Sequence, residues 1–206
     1  MKKIEIDPGA GFCFGVEEVI KTAEMRLREG ETLYGLGDMV HNAAEVKRLQ
    51  ILGLKTIDHQ QLTKLSPGKV LFRAHGEPPE TYVIARQNGV EVIDGTCPIV
   101  AKLQVKLKKA YDSMDRSTEQ MVIFGKADHP ETIGLLGQVN GDALVVRSVE
   151  EVTPSIPIRK SCCFPKPPWI RKASRRWSGH WRIISKRTQE KKHMCISGLT
   201  VPSVVR

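Results

Sequence analysis

The sequence predicts an α/β protein built on small parallel sheets. Through the first 150 residues, short β-rich runs alternate with stretches of helical period. Polar loops carrying Gly, His and Cys recur between the end of a strand and the start of the next helix. A hydrophobic content of 40% and a charged content of 27% suit a globular chain, and 206 residues can form one large domain or two small ones.

The elements follow in order. Lys3–Ile6 reads as a first short strand. Val16, Val19, Ile20, Ala23 and Leu27 then repeat at helical spacing until Gly30 stops the run. Thr32–Tyr34 reads as a strand and Ala43–Leu52 as a helix ending near Gly53. Val70–Arg73 is the next strand. Pro78-Pro79 opens a helix to Gln87, which Asn88-Gly89 terminates. Val90–Ile93 is a strand, and a long helix starts after Pro98. Val122–Phe124, a helix after Pro130 and Ala143–Val146 complete the series.

The loops Gly11-Phe12-Cys13, Ala74-His75-Gly76, Gly95-Thr96-Cys97 and Asp128-His129-Pro130 all fall between a strand's end and a helix's start. Open parallel sheets bind ligands outside the carboxyl ends of their strands, so these loops are expected to line one cleft. After about Val152 the pattern stops. Residues 161–206 show neither alternation nor a sustained amphipathic period, and Pro165, Pro167 and Pro168 break their start.

Charge follows the same division. The net charge is +9, yet residues 161–206 hold 11 Lys/Arg against the single acid Glu190, while residues 1–160 hold 21 basic and 22 acidic residues. All three tryptophans and three of the five cysteines also lie in that tail. The N-terminus carries Glu5 and Asp7 where an export signal needs an apolar run, and no stretch reaches the roughly 18 apolar residues of a membrane helix. A cytoplasmic protein is expected, in which cysteines serve more often as ligands or nucleophiles than as disulfide partners.

Cys13 is flanked by Gly11 and Gly15, which allow a ligand to approach the backbone. Cys97 precedes Pro98 at a helix N-terminus, where the dipole favours a thiolate. With no C-x-x-C spacing, the spacing alone favours two buried structural cysteines over a ligand pair. His41, His75 and His129 each sit in a turn beside Asn, Gly or Pro, and such side chains donate to phosphate oxygens. Glu131 stands two residues beyond His129. It is a candidate proton donor if buried, and an ordinary dipole-stabilising acid if not. No P-loop, GxGxxG fingerprint or Ser-His-Asp order is present.

In register, Gly11-Phe12-Cys13-Phe14-Gly15-Val16, Val40-His41-Asn42 and Arg73-Ala74-His75-Gly76-Glu77-Pro78-Pro79 resemble the 4-hydroxy-3-methylbut-2-enyl diphosphate reductases. Asp94-Gly95-Thr96-Cys97-Pro98 and the stretch from Gly125 to Glu131, with Gly134 and Gly137-Gln138, extend the resemblance over about residues 1–150. The resemblance implies a three-domain fold of similar α/β units, cut before its third domain. It divides the chain into residues 1–97 as a first domain, 98–160 as part of a second, and 161–206 as a disordered, basic, non-family tail.

It also implies an oxidoreductase of the non-mevalonate isoprenoid pathway with a [4Fe–4S] cluster held by three cysteines. Cys13 and Cys97 match the first two, and one iron is left open to substrate. His41, His75 and His129 match diphosphate-contacting histidines, and Glu131 matches the proton donor. The implied reaction is the two-electron dehydroxylation of an allylic diphosphate to isopentenyl and dimethylallyl diphosphate, fed by reduced ferredoxin or flavodoxin.

Beyond residue 160 the sequence departs from this pattern. The family continues with a strand, a Gln-Thr-Thr turn and a third cysteine in an Asn-x-Thr-Ile-Cys context. Cys162 and Cys163 fall too early for it, and Cys195 matches nothing. Codons can be chosen for Ser161 to Pro168 so that a shift of one nucleotide reads Ile-Val-Leu-Phe-Ser-Gln-Thr-Thr. The same shift across Gly198 to Arg206 reads a run containing Asn-Arg-Thr-Ile-Cys-Arg-Gln. A frameshift near codon 160 is therefore expected, leaving a truncated and poorly active chain without its third ligand. The competing class is an α/β domain whose basic, Trp-bearing arm binds nucleic acid. Basic composition alone argues weakly for it.

Overall fold

A computed structural model describes Glu5, residues 11–148, Glu151 and residues 160–164. The chain divides into two compact units inside one long helix, between Leu103 and Gln104. The sequence placed that boundary at 97/98, where the helix begins. It falls later because the first turns of the helix belong to the first unit's core, through Val100.

The first unit is a four-stranded parallel sheet in the order β2-β1-β3-β4, formed by β1 (Leu33–Leu36), β2 (Lys55–Ile57), β3 (Gly68–Phe72) and β4 (Val90–Asp94). Helices α1 (Phe14–Arg28), α2 (Ala43–Ile51), α3 (His59–Leu62) and α4 (Pro79–Gln87) precede or connect the strands. Alternation along the strands divides the core in two. Leu33 and Leu71 pack with Val19, Ile20 and Ala23 of α1 and Leu49 of α2, whereas Leu36, Val70 and Phe72 pack with Leu62 and Ala85. With both faces covered, the central strands are apolar where they are buried, Leu33 and Leu36 in β1 and Val70, Leu71 and Phe72 in β3.

The second unit opens in α5 (Pro98–Ser113) and contains β5 (Glu119–Phe124), α6 (Pro130–Gly137), β6 (Leu144–Val146) and β7 (Lys160–Phe164), with parallel strand order β6-β5-β7. Met121 and Ile123 of β5, Leu107 of α5, Leu135 of α6 and Val139 are fully or almost fully buried. The chain thus builds two units of one construction, a central strand flanked by its successor on one side and a later strand on the other.

Differences from the sequence reading have local causes. β1 runs on to Leu36 because Leu36 pairs with Ile57 of β2, a three-residue strand with two exposed positions that leaves no alternating signal. The four-residue α3 is closed by a capping box: the Asp58 carboxylate accepts from Gln61 N, and the Gln61 side chain accepts from Asp58 N. Regular structure also reaches four residues past the boundary drawn at 160, because β7 adds to β5 from Glu119↔Lys160 to Ile123↔Phe164. The first expected strand, Lys3–Ile6, lies outside the described residues except for Glu5, which is not in a strand, and residues 165–206 of the tail lie outside them as well.

Candidate functional site

The parallel arrangement sends every strand's carboxyl end to the same edge of its sheet. In the first unit the strand order reverses at β1, whose successor β2 lies on one side and β3 on the other. Such a switch point opens a crevice between adjacent loops. His41 follows β1 and His75 follows β3, and their imidazole centroids are 5.0 Å apart at an interplanar angle of 53°. Asn42 fixes the first of these loops as the N-cap of α2, its side chain accepting from the Glu45 amide at 3.1 Å.

Both cysteines border the N-terminal end of α1. Cys13 is the exposed N-cap residue, its carbonyl accepting from Val16 N and Glu17 N. Cys97 is buried, and Gly15 of the first turn of α1 lies directly against its Cβ and Sγ. The Cys97 amide donates to the Ala74 carbonyl at 3.0 Å, so the Cys97 loop is pinned to the His75 loop. Gly95 makes that approach possible: its amide donates to the Phe72 carbonyl, and a Cβ there would lie 2.3 Å from the same oxygen. Asp94 braces the turn, accepting from Thr96 N at 2.9 Å and from the Tyr82 hydroxyl at 3.0 Å. Burial pushes the Tyr82 phenol up to about 12.

His129 and Glu131 occupy the equivalent strand end of the second unit, after the central strand β5. His129 is the N-cap of α6, and its Nδ1 accepts from the Glu131 amide at 3.3 Å. Glu131 is 2% exposed, so it is no ordinary solvated first-turn acid. The structure thus brings Cys13, Cys97, His41 and His75 together on one sheet edge and sets His129 beside Glu131 on another.

Sequence reasoning gave no role to three residues that organise the first edge. Glu77 is 1% exposed, and its carboxylate accepts from Arg73 Nε at 3.0 Å and from His59 Nε2 at 2.9 Å. The available signal was an acid between a turn glycine and Pro78-Pro79, with a cation four residues before it.

The strand-end loops define a doubly wound α/β protein with a thiol- and imidazole-bearing edge. The LytB protein family model matches residues 4–194, and the chain belongs to that family. The chain is 52% identical over 151 residues to the 4-hydroxy-3-methylbut-2-enyl diphosphate reductase of Bacteroides fragilis, covering 73% of this chain and 52% of that protein. It is 53% identical over 151 residues to the enzyme of that name from Bacteroides thetaiotaomicron, with the same coverage. A solved structure of (E)-4-hydroxy-3-methyl-but-2-enyl diphosphate reductase superposes with a TM-score of 0.64 at 34% identity, over 79% of this chain and 57% of that one. The E-1-hydroxy-2-methyl-but-2-enyl-4-diphosphate reductase of Plasmodium falciparum, at 24% identity and a TM-score of 0.66, shares the fold over 77% of this chain and 49% of that one. The chain spans about half the length of the curated relatives it matches. The family match reaches residue 194, into the segment read above as foreign, whereas similarity to the named relatives covers 151 residues.

Proposed function

We propose that this chain carries the N-terminal portion of a reductase acting on 4-hydroxy-3-methylbut-2-enyl diphosphate in isoprenoid synthesis. The observation that carries this reading is the convergence of two free thiols and two imidazoles on the switch-point edge of one sheet. The donor set suits an iron–sulfur cluster in kind. Cys13 and Cys97 are unbridged thiols at the N-termini of α1 and α5, and cysteine sulfur is the ligand type that iron–sulfur clusters take. They would hold the [4Fe–4S] group, which when bound supplies electrons and a Lewis-acidic iron to the substrate hydroxyl.

The chain's own residues do the rest. His41, His75 and His129 would donate to the diphosphate oxygens, anchoring the substrate by its charged end. Glu131, sheltered from water at the N-terminus of α6, would deliver the proton that the departing hydroxyl needs. Reduced ferredoxin or flavodoxin would supply the two electrons, in the cytoplasm. No helix among the described residues is long and apolar enough to cross a membrane. A nucleic-acid-binding arm is not favoured, because the family match runs over residues 4–194 and so takes in most of the basic segment as well as the α/β units.

The third cysteine ligand does not match a position in this chain, and we attribute this to a one-nucleotide frame change near codon 160. β7 lies where the other frame reads Ile-Val-Leu-Phe. The chain as given would then hold its cluster poorly and turn over slowly.

Sequencing the DNA across codons 150–206 tests the frame. The decisive assay loads the corrected chain with iron and sulfide without oxygen, then follows conversion of the allylic diphosphate to the two isoprenoid diphosphates. A brown chromophore that Cys13→Ser or Cys97→Ser abolishes, with turnover in the parent, supports the reading. A corrected chain that neither binds iron nor consumes the substrate defeats it.

A further inference from the structure

Glu77 is a buried carboxylate that the proposed chemistry leaves unused. Burying a charge is costly unless every lone pair finds a partner, and here each carboxylate oxygen has its own. Oε1 accepts from Arg73 Nε at 3.0 Å and Oε2 accepts from His59 Nε2 at 2.9 Å. A carboxylate can only accept, so the His59 Nε2 must carry a proton. Arg73 is itself only 14% exposed, and His59 is the outer member at 53%.

The three residues come from the ends of two strands, β2 and β3, which flank β1. His59 begins α3, just after β2. Arg73 directly follows β3, and Glu77 closes the same loop before α4. The Arg73 guanidinium also reaches across to the end of β1, where a Cβ on Gly37 would lie 2.8 Å from its terminal nitrogen. Gly37 is tied to β2 in turn, its amide donating to the Ile57 carbonyl at 2.8 Å. The network thus laces the ends of β2, β1 and β3, which are adjacent in that order. His75 lies between Arg73 and Glu77 in the clamped loop, and His41 lies on the segment leaving Gly37.

We propose that the Arg73–Glu77 ion pair, anchored by His59, is a positioning clamp that holds His75 beside His41 in the geometry needed to grip a diphosphate. The proposal rests on the function above only in taking these two imidazoles as anion contacts. Arg73, Glu77 and His59 are positioning residues, because their charge is consumed within the network. A salt bridge kept only for stability would be a poor choice here, since apolar pairs of similar volume replace buried ion pairs with little loss. Its position around His75 gives it a geometric task.

The test uses the whole chain, inorganic diphosphate as the probe, and the imidazole nitrogen resonances of His41 and His75 read by NMR. The deciding variant is Arg73→Met with Glu77→Met, which removes both charges together and leaves none stranded. The clamp predicts a melting temperature near that of the parent, displaced His41 and His75 resonances, and diphosphate binding weakened about tenfold, the loss of one oriented charge-assisted contact. Parent-like resonances and affinity in that variant would overturn the proposal. Should the double variant fail to fold, Arg73→Lys decides. It keeps the charge but loses the planar guanidinium that spans Glu77 and Gly37, so the clamp again predicts displaced resonances and weaker binding. If the parent chain shows no response to inorganic diphosphate, the reading of His41 and His75 as anion contacts fails, while their resonances in the variants still decide the clamp.

Discussion

Gly15 in the first turn of α1 lies flush against Cys97: a Cβ placed on the glycine would stand 2.8 Å from both the Cβ and the Sγ of the cysteine. Cys13 precedes that glycine by two residues, so the contact sets the separation of the two thiols. Gly15→Ala should therefore push α1 away from the Cys97 loop. Overpacking of this kind costs about 1–3 kcal/mol. Chemical denaturation should show that loss, and the buried Cys97 thiol should react faster with an alkylating reagent. A variant with parent stability and parent alkylation rate would mean that the loop yields freely.

Gly95 presents a harder constraint. A Cβ at this position would meet backbone, the Phe72 carbonyl oxygen at 2.3 Å, as well as Val19 Cγ2 at 2.7 Å. Neither is the flexible end of a long side chain. Gly95→Ala should destabilise the first unit by more than about 3 kcal/mol, in the range reserved for named steric or core defects. Recovery of soluble, cooperatively melting protein at parent temperature would show that β3 and β4 can separate without cost.

Tyr82 links α4 to the Cys97 loop and confers an alkaline limit. Its phenol is pushed up to about 12, chiefly by burial, from an ordinary value near 10. A raised value in the folded state means that the unfolded chain loses its proton first as pH rises. The contribution of Tyr82 is thus fully present below about pH 10 and disappears between about 10 and 12. Tyr82→Phe should lower stability at neutral pH through the lost bond to Asp94, by about 0.5–1.5 kcal/mol, and should flatten the alkaline decline. Melting curves at stepwise pH values for both proteins make the comparison, and parallel declines would remove Tyr82 from the account.

The parts of this architecture legible in the sequence are those in which local pattern and tertiary role coincide. Val19, Ile20 and Ala23 repeat at helical spacing and are the residues that α1 buries. Pro79 starts α4, and the Asn88-Gly89 pair follows its end. The strand ends were less legible, because a ladder partner rather than composition decides where pairing stops. Gly68 and Lys69 join β3 through Val90 and Glu91, and no alternation in the chain marks them. β7 was missed because Lys160 and the basic residues beyond it mask a five-residue strand. At the site, the chemistry-bearing loops could be read from Gly, His and Cys beside turn residues. Glu77 could not, since only the fold reveals that this charged residue is buried between a cation and an imidazole.

Glu131 supplies the sharpest division between holding a cofactor and using it. It is buried at the start of α6, two residues after the N-cap His129, and its proposed task is proton delivery. Glu131→Gln keeps the size and hydrogen-bonding capacity of the side chain but removes the acidic proton. In a frame-corrected, iron-loaded protein the substitution should leave the brown absorbance unchanged, since the thiolates are elsewhere in the chain. Turnover should fall by about 10²–10⁴-fold, the usual contribution of a positioned general acid. Inorganic diphosphate affinity should change little, because the proposed function assigns the anion to the histidines. Retention of full turnover would assign the proton to another group, and loss of the absorbance would make Glu131 part of the cluster's support.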